Sequence, residues 1–173
     1  MRAQPIIDLS DIDLSARVAD RDAIGEVNPH RGLMALLDAI VWHSDDYNEG
    51  IAIKHTTEDE FWVPGHIPGY ALMPGVLMLE AAAQLSSFLY YRRSRMTWFA
   101  GFTRIEDTVF RGQVRPGDDL FLLARGLKYN PKRFITHVQG LVNDDVVFEA
   151  RITGMAFPNV NAEMAADSTS QPA

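Results

Sequence analysis

An α+β fold, with one buried helix against an antiparallel sheet, follows from three features of the sequence. A long apolar run, 75 to about 91, follows Pro74, and proline is favoured at a helix start. After it, the stretches 98–103, 108–111, 120–127, 134–142 and 146–157 are apolar or alternating and read as strands. Their separators, among them Arg115-Pro116-Gly117-Asp118, Tyr129-Asn130-Pro131-Lys132 and Asn143-Asp144-Asp145, carry turn residues. One buried helix and then a meander describe a sheet wrapped on a helix.

The elements before the helix read as follows. Residues 1–27 are an N-terminal extension. Its first twenty residues hold four Asp and isolated apolar side chains, the pattern of a loosely packed arm, and 15–26 suits a short helix ending near Gly25, closed by Asn28-Pro29. The stretches 36–43 and 50–56 read as strands joined by a hairpin connection over 44–50. The segment 61–74 is a loop with three prolines and two glycines. The main domain spans 28–158. The tail, 159–173, is rich in Ala, Ser, Asp and Gln and reads as disordered. A sheet on a single helix leaves strand edges and one face to cover, so at least a dimer is expected.

Composition narrows the function. The 173 residues are 47% hydrophobic and 23% charged, enough for one globular domain with a modest core. The absence of cysteine excludes disulfides, thiolate nucleophiles and cysteine metal sites. A net charge of −7 argues against a nucleic-acid partner. The first residues lack the apolar core of a signal peptide, and the longest apolar stretch, 72–89, is interrupted by Glu80 and Gln84. A cytoplasmic protein without a membrane span is expected.

The chemistry centres on Glu80. Between Val76 and Leu89 the polar side chains are Glu80, Gln84, Ser86 and Ser87. A lone carboxylate on a buried helix costs roughly several kcal/mol unless it is paired or protonated. His66, in the Gly/Pro-rich turn just upstream, is its nearest imidazole in sequence, and the two together are general acid/base equipment. His30, His43, His55 and His137 are scattered without ligand spacing and read as structural or surface residues. No metal and no cofactor are expected.

Several motifs extend this reading. They are His30-Arg31 before an apolar strand, Phe61-Trp62-Val63-Pro64-Gly65-His66-Ile67-Pro68-Gly69, and Met73-Pro74-Gly75-Val76-Leu77 with Glu80-Ala81-Ala82-Ala83-Gln84. Phe99-Ala100-Gly101, Phe110-Arg111 and Val114-Arg115-Pro116-Gly117-Asp118 follow. From about Asn28 to Phe157 the chain resembles the 3-hydroxyacyl-acyl-carrier-protein dehydratases of type II fatty-acid synthesis. The resemblance implies a hotdog fold, a long central helix wrapped by a curled antiparallel β-sheet, assembled as a homodimer or a trimer of dimers. It implies dehydration of 3-hydroxyacyl thioesters, borne on acyl carrier protein or coenzyme A, to trans-2-enoyl thioesters.

Residue by residue, the resemblance places the catalytic histidine on His66 and the catalytic acid on Glu80, facing each other across a dimer interface. A glutamate at that position points to the plain dehydratase branch, since the dehydratase/isomerase branch carries aspartate there. The Gly75 N–H takes the oxyanion role, which suits the orphan donors of a helix start. His66 is the base for the C2 proton. Glu80 serves the C3 hydroxyl, either protonated because its apolar helix raises its pKa or by orienting a water. Tyr70, Leu77, Phe99 and Phe102 are candidates for an acyl tunnel, with Trp62, Met78 and Ala81 beside them, and ordinary core packing is the alternative for each. An acidic carrier has three basic clusters to dock on: Arg92, Arg93 and Arg95; Lys128, Lys132 and Arg133; or Arg104 and Arg111.

The chain departs from the family pattern in four places. Ala71 replaces a usual proline, Asp38-Ala39 replaces Asp-Arg, the extension before Asn28 is added, and a small insertion falls near 103–106. The competing functions are a hotdog thioesterase and a non-catalytic acyl-thioester-binding subunit.

Overall fold

The computed structural model describes residues 3–95 and 98–157. Its elements, in chain order, are β1 (Ala19–Asp20), α1 (Arg21–Val27), a 3₁₀ turn (Gly32–Met34), β2 (Ala39–His43), β3 (Glu49–His55), α2 (Gly75–Ser94), β4 (Phe99–Phe110), β5 (Asp119–Asn130), β6 (Arg133–Val142) and β7 (Asp145–Phe157). The strands form one antiparallel sheet of seven in the order β1-β2-β3-β5-β6-β7-β4. The sheet is open, with β1 and β4 as its edges. The expected tail, 159–173, lies outside the described residues.

Helix α2 runs for 20 residues and buries side chains on every side, including Met78, Leu79, Ala81, Ala82, Leu85, Phe88 and Leu89. That distribution is what a helix packed centrally requires. It packs against β3, β4, β5, β6 and β7. It ends where Arg95 turns left-handed, φ 53°, and sends its N–H back to the Tyr91 carbonyl. The β6–β7 turn places Asn143 and Asp144 at φ 49° and 64°, the paired left-handed residues of a tight hairpin matched to strand twist.

Strand residues alternate between two cores, as the period of a strand dictates. Ile40, Ala52, Leu120, Leu122 and Ala124 face α2, while Val41, Ile51, Ile53, Leu123 and Leu141 face the other way. The N-terminal arm covers that second face. Ile7 is buried among those residues, with Ile6, Leu9, Ile12 and Leu14 packed alongside. Gln139 holds the arm from below: its Oε1 accepts from Ile6 N at 2.7 Å and its Nε2 donates to Gln4 O at 3.2 Å. The expectation of a loose arm is therefore corrected. The apolar residues that looked isolated are the lid of the sheet, and that face needs no second protomer to cover it.

Two further differences have local causes. The stretches 98–103 and 108–111 are one strand, β4, whose pairing with β7 shifts between Phe102 and Arg104 and again between Glu106 and Val109. Asp107 at φ 51° marks the second bulge, and the bulged residues interrupt the alternation that sequence reading relies on. Asp38, which lacks the usual arginine beside it, takes one from the extension: Arg21 Nη2 lies 2.5 Å from Asp38 Oδ1, and His55 N donates to Oδ2 at 2.6 Å.

Candidate active site

The loop before α2 is built to hold His66. Gly65 N and His66 N both bond the carbonyl of Trp62, a buried anchor. Ile67-Pro68-Gly69-Tyr70 closes a turn through Tyr70 N to Ile67 O, 2.8 Å, with Gly69 at φ 77°. Proline second and a left-handed glycine third are the residues this turn type demands. The Leu72 N–H donates to the His66 carbonyl at 2.8 Å, and Met73 N–H donates to Val114 O at 2.8 Å. Ala71 thus sits between two pinned residues, and the loop is held without the usual proline.

The imidazole is fixed as well. His66 Nδ1 lies 2.8 Å from the Leu72 carbonyl oxygen. A carbonyl only accepts, so Nδ1 carries the proton and the Nε2 lone pair is the free, basic one. The side chain is exposed in the protomer.

Glu80 lies in the second turn of α2. Its Oε1 accepts from Gln84 Nε2 at 2.9 Å, and His30 Nε2 stands 3.2 Å from the same oxygen. The hydrogen bond from His30 holds the carboxyl below its ordinary range. Burial pushes the other way and loses, and Gln84 adds to the lowering. The apolar helix alone suggests a raised pKa. The observed direction is downward, because a partner from outside the helix sets the environment. His30, which the sequence marks only as a structural or surface residue, is thus the neighbour of Glu80 from outside the helix.

Glu80, His30, Phe99 and Phe102 line one pocket of about 230 Å³, closed off by Ala83, Phe134 and Ile152. The other tunnel candidates lie elsewhere. Leu77 packs on the main core, where Trp62, Met78 and Ala81 are also buried. Tyr70 is exposed, bonds Gln113 through its Oη at 3.0 Å and lies under the Arg115 guanidinium. Gly75 opens α2, where Leu77 and Met78 N–H turn back to the Pro74 carbonyl. The N–H groups of Gly75 and Val76 then have no carbonyl within the helix. A Cβ at Gly75 would stand 2.7 Å from a Phe110 ring carbon, so β4 comes as close as glycine permits. Within one protomer the partners of His66 and of Glu80 are different groups, and the two do not bond each other.

Among the described residues no cluster of three or more His, Asp or Glu side chains is placed to hold a metal ion, and no helix is long and apolar enough to cross a membrane.

Comparison with known proteins places this geometry among relatives. The FabA-like domain family matches residues 28–151. The 3-hydroxyacyl-acyl-carrier-protein dehydratase FabZ of Streptococcus equi subsp. zooepidemicus is 40% identical over 113 residues, 63% of this chain and 77% of that protein. The protein of the same name from Protochlamydia amoebophila is 32% identical over 147 residues, 85% of this chain and 94% of its own length. Among solved structures, the dehydratase heterocomplex ApeI:P from Xenorhabdus doucetiae matches with a TM-score of 0.69 at 16% identity, over 87% of this chain and 99% of that one. That last likeness is one of fold, the hotdog arrangement.

Proposed function

The chain belongs to the FabA-like family, and on that premise we propose that it removes water from 3-hydroxyacyl thioesters to give trans-2-enoyl thioesters, with His66 as base and Glu80 as acid. The observation that carries the reading is a carboxyl on a buried helix that opens onto an apolar pocket walled by Phe99 and Phe102. An acyl chain fits such walls, and its C3 oxygen then meets Glu80.

His66 Nε2 takes the C2 proton, and the C2–H electron pair becomes the C2–C3 double bond. The C3–O bond breaks, and the hydroxyl leaves as water with a proton from Glu80. The proton on His66 then restores Glu80, through solvent or directly. Charge developing on the thioester oxygen is met by the Gly75 N–H. Before substrate binds, His30 and Gln84 favour the carboxylate. An acyl chain that shuts out water works against them and favours the protonated acid. General acid and general base steps are each typically worth about 10²- to 10⁴-fold.

The base and the acid are supplied by two copies in this reading. The partner subunit's His66 completes the pocket that holds Glu80, and the exposed edge of β4 is where the copies join. The thiol is that of an acidic acyl carrier protein. It docks where Arg93 stacks on the Tyr129 ring at 4.4 Å, which joins the basic end of α2 to the β5–β6 hairpin with Lys128 and Lys132. A cytoplasmic location suits this chemistry.

Two inactive variants test the shared site. Purified His66→Ala and Glu80→Gln are each assayed for interconversion of a 3-hydroxyacyl thioester and its enoyl counterpart, with free thiol followed in parallel. Each alone is expected to lose activity by at least about 10²-fold. Mixed and re-assembled, they are expected to regain about a quarter of wild-type activity, since half of random dimers pair the two and each such dimer has one intact site. Wild-type activity in either variant refutes the assignment. Thiol release without enoyl formation replaces it with a thioesterase.

A further inference from the structure

Both polar partners of Glu80 end on one oxygen. Gln84 Nε2 donates to Oε1 at 2.9 Å and His30 Nε2 lies 3.2 Å from it, while neither contact uses Oε2. Building on the reading of Glu80 as the acid, we propose that His30 is a positioning residue for the reaction: with Gln84 it anchors Oε1 and so presents Oε2 to the C3 hydroxyl.

Three observations support this role. A carboxylate only accepts, so His30 donates through Nε2, and its other nitrogen, Nδ1, is buried with no hydrogen-bond partner among the described residues. A buried polar atom left unpaired is costly, and a side chain serving only as scaffold has no reason to carry one. The imidazole is therefore there for what Nε2 does. The segment bearing it is also rigidly seated. Asn28 Nδ2 donates to the Gln84 carbonyl at 2.9 Å, Leu36 N–H to Gln84 Oε1 at 3.0 Å, and the Arg31 guanidinium to the carbonyls of Gly25, Asn28 and His30. A group that positions another must itself be held.

The third observation is electrostatic isolation. The walls that α2, β4, β6 and β7 add to the pocket carry no charged side chain besides Glu80 itself, so within one protomer His30 is the titratable group facing it there, and in the proposed dimer the partner subunit's His66 is the second. On its other side His30 borders a second cavity of about 570 Å³, where the charged groups are Arg21, Asp22, Glu26 and Arg31.

The test compares wild type with His30→Ala and His30→Gln, each alone and in a Glu80→Gln background, using one acyl thioester across a pH series. His30→Ala is expected to lower kcat about 10- to 100-fold with KM within about twofold, as a misplaced acid does. The limb of the kcat profile that reports Glu80 is expected to move to higher pH. His30→Gln, whose amide donor reaches Oε1, is expected to recover most of the loss. In the Glu80→Gln background His30→Ala is expected to cost nothing further. If His30→Ala does not fold, His30→Asn, too short to reach Oε1, takes its place. Wild-type kcat and an unmoved profile beside a dead Glu80→Gln overturn this inference alone, and so does an equal loss in both backgrounds. A fully active Glu80→Gln overturns the reading on which it rests.

Discussion

Replacing Gln84 by leucine removes the joint between the His30 segment and α2. Gln84 is 2% exposed and satisfies three groups at once: it donates to Met34 O at 2.8 Å and to Glu80 Oε1 at 2.9 Å, and accepts from Leu36 N at 3.0 Å. Leucine has nearly the same volume, so the cavity cost is small and the loss is polar. Leu36 is 3% exposed, and its N–H is left buried without a partner, which costs about 1–3 kcal/mol. Met34 is exposed, so water replaces the amide at its carbonyl. Glu80 keeps His30 but loses one donor, roughly 0.5–1.5 kcal/mol. Leucine's better transfer to the interior returns about 1 kcal/mol.

The net loss is about 0.5–3.5 kcal/mol, or a fall in Tm of about 1–14 °C for a chain of this size. Urea unfolding at matched protein concentration, read by tryptophan fluorescence, gives the number, and an unchanged m-value confirms that stability alone has moved. A loss under about 0.5 kcal/mol would show that the Leu36 N–H finds another partner, and the rigid seat for His30 would go with it.

Three more outcomes follow from the same geometry. Ile7→Ala is expected to destabilise by about 2–4 kcal/mol in chemical denaturation, because Ile7 is 3% exposed against the outer face of the sheet; an unchanged midpoint would return the arm to a loose tether. Glu80 has its folded-state pKa depressed by His30, so its contribution to stability is complete above the ordinary value of 4.5 and is lost as pH falls through the lower folded value. Stability measured against pH should therefore show Glu80→Gln weaker than wild type at pH 7 and the gap closing below about pH 4.5, whereas a constant gap contradicts the His30–Glu80 bond. Gly75→Ala drives a Cβ to 2.7 Å from the Phe110 ring, which is half-exposed and swings away, so unfolding free energy should change by less than about 1 kcal/mol while kcat falls because the moved ring and the new methyl crowd the helix start; unaltered kcat would show that the packing of Phe110 over the helix start does not bear on the reaction.

The architecture was legible because its signals are local. An all-round apolar helix after Pro74, and turns such as Asn143-Asp144, declare themselves within a few residues. The arm does not, since Ile6, Ile7, Leu9, Ile12 and Leu14 follow neither helical nor strand period. They pack as irregular chain on alternate residues of strands far along the sequence. The site divides the same way. His66 and Glu80 stand in short motifs with chemical meaning of their own. His30 stands in a motif too, His30-Arg31, but that motif has no chemical meaning of its own, because the place of His30 depends on Asn28 and Leu36 both reaching Gln84, a tertiary event. The direction of the Glu80 pKa was missed for the same reason: neighbours along a helix describe its faces, and a side chain from another segment decides its charge.

The arm also changes where a second copy belongs. With one face of the sheet on α2 and residues 3–14 packed against the other, most of the large exposed apolar side chains that the strands themselves carry lie on β4. That strand is an edge, 12 residues long, with Phe102, Ile105, Val109 and Phe110 each more than a third exposed. A long apolar edge left open is a template for aggregation, so it calls for a partner. β4 is also the strand that supplies Phe99 and Phe102 to the Glu80 pocket and lays Phe110 over Gly75. In the proposed assembly, pairing two copies along it would cover the exposed aromatics, enclose Glu80 and admit the partner subunit's His66 in one event. The consequence is that activity and the masking of β4 share a single concentration dependence. Dilution through the dimer dissociation constant should abolish turnover and expose the edge together, and a fully active monomer would separate the fold's need for a partner from the chemistry's.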